Sequence, residues 1–530
     1  MSTEKKIKMF VLGLDGGSLN FVQPWIEGGY LPNFKTLMEL GCSGDLESCL
    51  PPVTMPAWRV YSTGKYPGKL GVFWHQQLDM KNRTVITPNA SMIHSADYWD
   101  YLNRAGFRTG IFGMPDLYPP RPVDGFVVCG GPSVSSTEYS YPQNWAAELE
   151  REVNYEVCLK GDFFGAEADS PIVAEALNVI EKTFRGADYI YRRDPVDFLM
   201  TAIFDINRIQ HFFYDQKPSL QAWQIADDWL GKFAPQFEYI AIMSDHGTES
   251  LERAFFLNVW LKQEGYLFTK FKPMDILPKL GINRTTAGKI ISILGLRRFL
   301  DFESVRKYSS LLPSASGVFG EFGNQAVLSR TDWSKTRVIA LAQGPIYINR
   351  ELVKDQDEYE RLRSELVEKL EAMQEPRSGK RVFKKVYRSE EIYQGPHAEM
   401  APDLMALNFD EYHNRAGLSQ PAVFADSWAW KGNNRHNGMF MLAGPGIRHG
   451  TTLKGVRIVD LAPTILHLHG AAVPDDMDGR VLEEAFLPDS SHSLVPIQRQ
   501  AAIDVGYTFK KEVESDQIIS DRLRDLGYIE

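Results

Sequence analysis

Cysteine and long apolar runs are scarce in this chain, and their scarcity excludes several classes of protein. Four cysteines among 530 residues (Cys42, Cys49, Cys129 and Cys158) are too few for a disulfide framework, and none falls in a CxxC spacing for zinc or redox work. Cys129, in VVCGG, reads as a small buried residue. No apolar stretch approaches the roughly 18 residues that a membrane-crossing helix needs, so no membrane partner is expected. The opening MSTEKKIKMFVLGLDGG carries positive charge, but its short apolar run leads into glycines and not into a small-residue cleavage site. No targeting signal is read there, and a cytoplasmic location is expected. Basic residues are the minority, 58 Lys+Arg against 68 Asp+Glu, for a net charge of −10. No basic stripe is available to neutralise a phosphate backbone, which argues against a nucleic-acid polymer as partner. Low-complexity tracts and internal repeats are also missing.

The composition that remains, 44% hydrophobic and 24% charged, belongs to a folded globular chain. At about 150 residues per domain, the length expects one large domain with an insertion, or two to three domains. Residues 7–14 (IKMFVLGL) run into Asp15-Gly16-Gly17, which reads as a buried parallel strand ending in a tight turn. A helix is expected around Leu31–Leu40. Further apolar runs at Phe198–Phe204, Tyr239–Met243 and Met439–Ala443 end at Asp205–His211, Ser244-Asp245-His246-Gly247 and Gly444-Pro445-Gly446. Strands separated by helical stretches indicate an α/β sheet covered on both faces. Ligands of such sheets gather beyond the carboxyl ends of the strands. One Asp at a strand end is ordinarily a turn or cap residue; three ends that deliver Asp or His point to a metal site.

Residues 251–335 are rich in Leu, Lys and Arg at helical spacing and read as an inserted helical cap with a solvated basic face. Residues 351–372 form an amphipathic helical pattern. The expected organisation is a discontinuous core over 1–250 and 336–485, a cap over 251–335, and a charged helical tail over 486–530.

Ionised Asp, neutral His and hydroxyl oxygens suit Zn, Mn or Mg. Asp15 and the Asp245-His246 pair can share one ion. A neutral Thr or Ser hydroxyl is too weak a nucleophile at pH 7 without activation. Thr54, in PPVTMPAW, is the candidate. Prolines stiffen its loop, and a helix through AWRVYSTG would put it at a helix N-terminus, where backbone N–H groups favour an anionic phosphoryl group. Taken alone, the plainer role for Thr54 is an N-cap.

The ordered set LGLDGG, PPVTMPAW…STGKYPGKLGVF, NRIQHFF, MSDHG and GMFMLAGPGI resembles the alkaline phosphatase superfamily, and more narrowly its type I phosphodiesterase/nucleotide pyrophosphatase branch and the predicted phosphohydrolase/phosphomutase group. PDLYPPRPVDGFVVCGGPSVSS, DWSKTRVIALAQGPIYIN, APDLMAL and IVDLAPTILHLHGAAVPDDMDGRVL agree with it. The resemblance implies a central mixed, mostly parallel sheet, a small phosphate-containing substrate, and one or two divalent ions, zinc first among them. It implies one ion held by Asp15, Thr54, Asp245 and His246. The second ion of such enzymes is held by an Asp, a His four residues later, and a distant His. Here those positions read Asn207, His211 and Asn434, with His436 two residues beyond. An Asn carbonyl is a weak, hard ligand.

Three explanations stay open on the sequence. The chain uses a single ion, with His211, Arg435 or His436 supplying positive charge to the transition state. Alternatively the register slips by two, so that Asp205 and His436 restore the second site. Or the scaffold performs transfer to an acceptor other than water. A non-catalytic binding relic is a further class, opposed by the survival of Asp15, Thr54, Asp245 and His246 together. His75 is a candidate pocket residue. For Arg208 a surface ion pair and for Trp58 a core or wall position are the expected roles. His467 and His469 are expected to be structural.

Overall fold

The computed structural model describes residues 7–505, apart from 133, 135–136, 162, 164, 271–322, 419–421 and 428–429. The strand Met9–Leu14 is apolar and buried at every position, as a central strand covered on both faces must be. It pairs in parallel with Phe198–Ile203 on one side and Tyr239–Met243 on the other. Thr109–Pro115 and Gly125–Gly130 extend the parallel array beyond Phe198–Ile203. On the other flank Asn437–Ala443 runs antiparallel to both Tyr239–Met243 and Gly41–Glu47. Two short strands, Thr451–Thr452 and Val456–Arg457, and the antiparallel Ser140–Tyr141 complete ten strands. The sheet is thus mixed and mostly parallel, as the resemblance implies. Asn437–Ala443 is the antiparallel exception within its centre.

Two groups of helices cover the sheet. Pro32–Leu40, Pro171–Arg193 and Lys217–Phe233 pack together, as do Thr54–Thr63, Tyr98–Arg104 and Leu461–Leu468. The long Pro171–Arg193 helix has Pro at its first turn and buries Val173, Ala176, Ile180, Ala187 and Ile190 on one stripe.

A second hydrophobic cluster lies apart from the main one and is built from Phe255, Trp260, Ile339, Leu366, Phe383 and Leu404 among others. It belongs to a four-stranded antiparallel sheet in the order Val338–Ala340, Pro345–Ile348, Leu404–Asn408, Phe383–Arg388. The helix Gln356–Glu371 covers this sheet. Asp355 caps it by accepting the Glu358 N–H at 2.8 Å, and Leu362, Leu366 and Leu370, spaced by four, form the buried stripe. A three-stranded sheet, Tyr412–Arg415, Arg253–Phe256 and Phe424–Asp426, adjoins it. Many of the buried residues between 338 and 418, Ile339, Leu366, Phe383 and Leu404 among them, pack in this second cluster, while Tyr393 and Met405 pack against Phe73. Most of the expected cap, 271–322, lies outside the described residues, as do residues 506–530 of the expected tail. The described start of that tail holds a four-residue helix, Ser491–Leu494, and a strand, Arg499–Gln500, paired with Val473–Pro474.

Candidate active site

Strand register assembles the site. Leu14 pairs with Ile203 and Gly13 with Met243, so three parallel strands end level, and Asp15, Asp205 and Asp245 follow at one edge. The antiparallel strand starting at Asn437 pairs with Glu47, which brings Arg435, His436 and the Ser48–Val53 loop to the same edge. This is the edge where α/β sheets place their ligands.

Asp15, Thr54, Asp245 and His246 are all fully buried. His246 Nε2 lies 3.6 Å from Asp15 Oδ1 and 3.3 Å from Asp245 Oδ2. His246 Nδ1 is 3.0 Å from the Gly247 carbonyl, which can only accept, so Nδ1 carries the proton and Nε2 presents a lone pair. Asp15 Oδ1, Asp245 Oδ2 and His246 Nε2 have no hydrogen-bond partner. The three side chains offer ligand atoms within 4.8 Å of one another, and among the described residues they are the one such group of His, Cys, Asp or Glu. Buried polar atoms are ordinarily satisfied. Three that converge unsatisfied, two carboxylate oxygens and an imidazole nitrogen, fit a divalent cation.

The other carboxylate oxygens are engaged. Asp15 Oδ2 accepts from Trp58 Nε1 at 3.2 Å and from Thr54 Oγ1 at 3.4 Å. Asp245 Oδ1 accepts the Gly16 N–H at 3.2 Å. Trp58 is thus a wall residue that also orients Asp15. Burial pushes Asp15 well above the usual carboxylate range, and the Asp245 charge adds to it. Burial raises Asp245 to about 8, and lowers His246. The cluster resists its own negative charge and gains from a cation.

Thr54 opens the buried helix Thr54–Thr63, but its hydroxyl makes no cap; it points at Asp15. The backbone at Met55 (φ −103°, ψ 117°) is not helical, so Thr54 stands one extended step ahead of the regular turns. The N-cap role is thereby replaced by contact with the cluster.

The Asn207 half is organised differently. Asn207 Nδ2 is 3.3 Å from His211 Nε2, and its Oδ1 receives Gln210 Nε2 at 3.5 Å and lies 3.1 Å from Thr248 Oγ1, whose one hydrogen has a shorter path to the Gly16 carbonyl at 2.7 Å. His211 Nδ1 donates to the Gly432 carbonyl at 2.9 Å, which leaves Nε2 to accept from Asn207. Trp223 Nε1 donates to Gln210 Oε1 at 2.7 Å. Gly16 (φ 70°) lets this network close: a Cβ there would lie 2.2 Å from Asn207 Oδ1. His211 stacks on Trp430 with centroids 4.2 Å apart. Burial holds His211 at about 3 and also lowers His436. Burial thus disfavours the protonated form of both imidazoles. Arg435 carries charge, but its Nη1 pairs with Glu249 at 3.2 Å. Asn434 lies opposite Thr248 in a small antiparallel ladder, and both its amide atoms are buried without a partner.

The two-residue slip does not occur. Asp205–Phe213 is a helix, not a strand, so positions 205 and 207 point about 200° apart. Asp205 is buried in an ion pair with Arg208 at 2.9 Å and accepts the Leu159 N–H. Arg208, expected at the surface, is buried and also donates to the Leu159 and Gly161 carbonyls. His436 donates from Nε2 to the Ser48 carbonyl at 2.8 Å. His75 is buried near enough to His246 for their charges to interact, and is held at about 3. His467 and His469 bond to the His492 and Ile465 carbonyls, in line with structural roles.

One acidic residue at the edge was not anticipated. Asp116 follows Thr109–Pro115 in a left-handed conformation (φ 62°), is buried, and raises both Asp15 and Asp245. Its signal is the one used for Asp15, an apolar run (GIFGMP) ending on a carboxylate.

Fold and cluster together define an α/β protein with a buried carboxylate–imidazole centre at the carboxyl edge of its sheet. Residues 9–421 match the type I phosphodiesterase / nucleotide pyrophosphatase family, and the chain belongs to it. Among solved structures, phosphonoacetate hydrolase from Sinorhizobium meliloti 1021 in complex with phosphonoformate superposes with a TM-score of 0.53 at 12% identity, over 86% of this chain and 94% of that one. Human ectonucleotide pyrophosphatase / phosphodiesterase 5 gives 0.48 at 12% identity, over 91% and 98%. At those identities the likeness is one of fold. No curated protein matches the sequence. No described helix is long and apolar enough to cross a membrane.

Proposed function

We propose that the chain is a divalent-cation-dependent phosphohydrolase acting on a small phosphate ester or diester, with Thr54 as nucleophile and one cation held by Asp15, Asp245 and His246. The observation that carries this reading is the convergence of three unpartnered buried ligand atoms beside a threonine hydroxyl. When bound, the cation would lower the pKa of that hydroxyl and offset charge on the phosphoryl oxygens. Asp15 orients Thr54 through Oδ2, and Trp58 holds Asp15. Gly16 and Ser48 fix Asp245 through its carboxylate and its carbonyl. The threonine oxygen forms a bond to phosphorus as the ester P–O bond breaks, and the departing oxygen takes up a proton. Water then cleaves the phospho-threonine, restoring the hydroxyl and releasing phosphate or a monoester. The satisfied network at Asn207 supports one ion over two. The test is acid trapping of the turning-over enzyme, with mapping of the modified residue by mass spectrometry. Phosphorylation at Thr54, lost in Thr54→Ala, is expected; modification elsewhere overturns the assignment. Oxygen from labelled water appears in the product for hydrolysis and stays out of it for transfer to another acceptor.

A further inference from the structure

The strand that leads to Asp116 is built to turn at its end. Thr109–Pro115 runs beside Phe198–Ile203 with Phe112 opposite Thr201, so it ends at the same edge as the strands that lead to Asp15 and Asp245. Between Phe112 and Met114 its pairing with Gly125–Gly130 slips by one residue, which leaves Gly113 as a bulge. Gly113 is left-handed (φ 73°), and a Cβ there would lie 2.6 Å from the Ala202 carbonyl oxygen, so the bulge requires glycine. Three residues on, Asp116 is left-handed as well (φ 62°), a conformation that Asp tolerates better than most side chains. Bulges beside a site serve to re-aim a strand end. This one delivers a buried carboxylate.

Asp116 is not one of the three side chains whose ligand atoms converge. It acts from a distance: beyond the effect of burial, its charge pushes up both Asp15 and Asp245. Such a field carries far in a buried site, where water screens it little. Nearby arginines are committed to other acids. Arg208 pairs with Asp205 at 2.9 Å, Arg435 with Glu249 at 3.2 Å, and Arg59, next to Trp58, with Asp97 at 2.9 Å. Burial disfavours the protonated forms of His75, His211, His246 and His436. When Asp15, Asp245 and Asp116 are all ionised, three negative charges therefore face the two positive charges of a divalent cation. A carboxylate near the cation, but not on it, strengthens the attraction for the cation and opposes an arriving anion. Resting on the reading of a cation held by Asp15, Asp245 and His246, we infer that Asp116 sets this balance: it tightens the hold on the cation and loosens the hold on the phosphate anion released from Thr54. Asp116 works through its field on the cation centre and is not itself a catalytic residue.

The test is calorimetry on the full-length protein, with Mn²⁺ as the first probe and inorganic phosphate, added at saturating Mn²⁺, as the second. Asp116→Asn keeps the shape of the side chain and tolerates the left-handed backbone; Asp116→Gly removes the charge without backbone strain, and decides the matter should the Asn variant not fold. Each is expected to weaken Mn²⁺ binding by at least about fivefold and to tighten phosphate binding by at least about fivefold. A purely structural role would weaken both together. Two unchanged affinities, two weakened ones, or a change in only one of them overturns the inference. Asp245→Asn separates this result from the reading beneath it. Mn²⁺ binding that is lost in Asp245→Asn but intact in the Asp116 variants rejects the role of Asp116 alone. Mn²⁺ binding that survives Asp245→Asn removes the cation from the cluster, and the role of Asp116 with it.

Discussion

The two halves of the site descend from the same sheet edge yet solve the burial of polar atoms in opposite ways. Around Asp245, three ligand atoms face one another without hydrogen-bond partners, and burial raises both carboxylates. Around Asn207, each side-chain atom has a partner, Nδ2 through His211 and Oδ1 through Gln210. An unsatisfied buried cluster is costly unless a ligand completes it, whereas a satisfied network is complete without one. Asn434, opposite Thr248, differs from Asn207 in that both its amide atoms are buried without a partner. The Asp205–Arg208 ion pair shows how local the difference is, since a buried carboxylate two residues from Asn207 is neutralised by the protein itself.

The largest expected effect falls on the first half. Thr54→Ala should lower kcat by at least about a thousandfold, the scale on which loss of a nucleophile is felt. Steady-state assays on a chromogenic phosphate ester or diester check it, and a loss below tenfold would remove Thr54 from the chemistry. Next, Asp205→Ala should destabilise the fold by about 3–5 kcal/mol, because Arg208 is left buried and unpaired. Denaturant unfolding reads the stability, and elemental analysis should show the bound-cation content unchanged. A lost cation would mean that Asp205 serves the metal after all. Smaller still, Asn207→Asp removes the donor to His211 and should cost about 1–3 kcal/mol in cation-free protein. If excess Zn²⁺ restores that stability and a second ion binds, position 207 is a lost ligand site. If Zn²⁺ restores nothing, the network has replaced the site outright.

Much of the first half was readable because its signals are local. Asp15 and Asp245-His246 each terminate an apolar run, and the central strands pair level, so their ends meet. Asp116 also ends an apolar run, but no neighbouring His or Gly-Gly accompanies it. The second half was not readable from spacing. Asn207, Thr248, Gln210 and Trp223 are joined only by packing, and no linear pattern distinguishes a weak metal ligand from a hydrogen-bonding amide. The slip by two failed for a related reason: a two-residue period applies to strands, and residues 205–213 are helical. Likewise, residues 336–418 carry ordinary strand patterns, and which of two cores they join is settled by pairings between 338–348 and 383–408.

The comparison also predicts a pH signature confined to the first half. Asp245 ionises near 8 in the folded, cation-free chain, against an ordinary value of 3.8. Such a raised carboxylate favours folding while both states hold the proton. That advantage is lost as pH rises from about 4 through 8, because the unfolded chain ionises first. A bound cation requires the ionised form, so it relieves this loss. The gain in melting temperature on adding Mn²⁺ or Zn²⁺ should therefore grow as pH increases from 5 to 8. Each displaced proton contributes at most about 1.4 kcal/mol per pH unit within that window. Differential scanning calorimetry with and without cation, at fixed ionic strength, measures it. The Asn207 network holds no ionisable carboxylate and its histidine stays neutral, so Asn207→Ala should shift both melting curves together and leave their pH-dependent separation intact. A separation that is flat with pH, or one abolished by Asn207→Ala, would place the cation somewhere other than the Asp15–Asp245–His246 cluster.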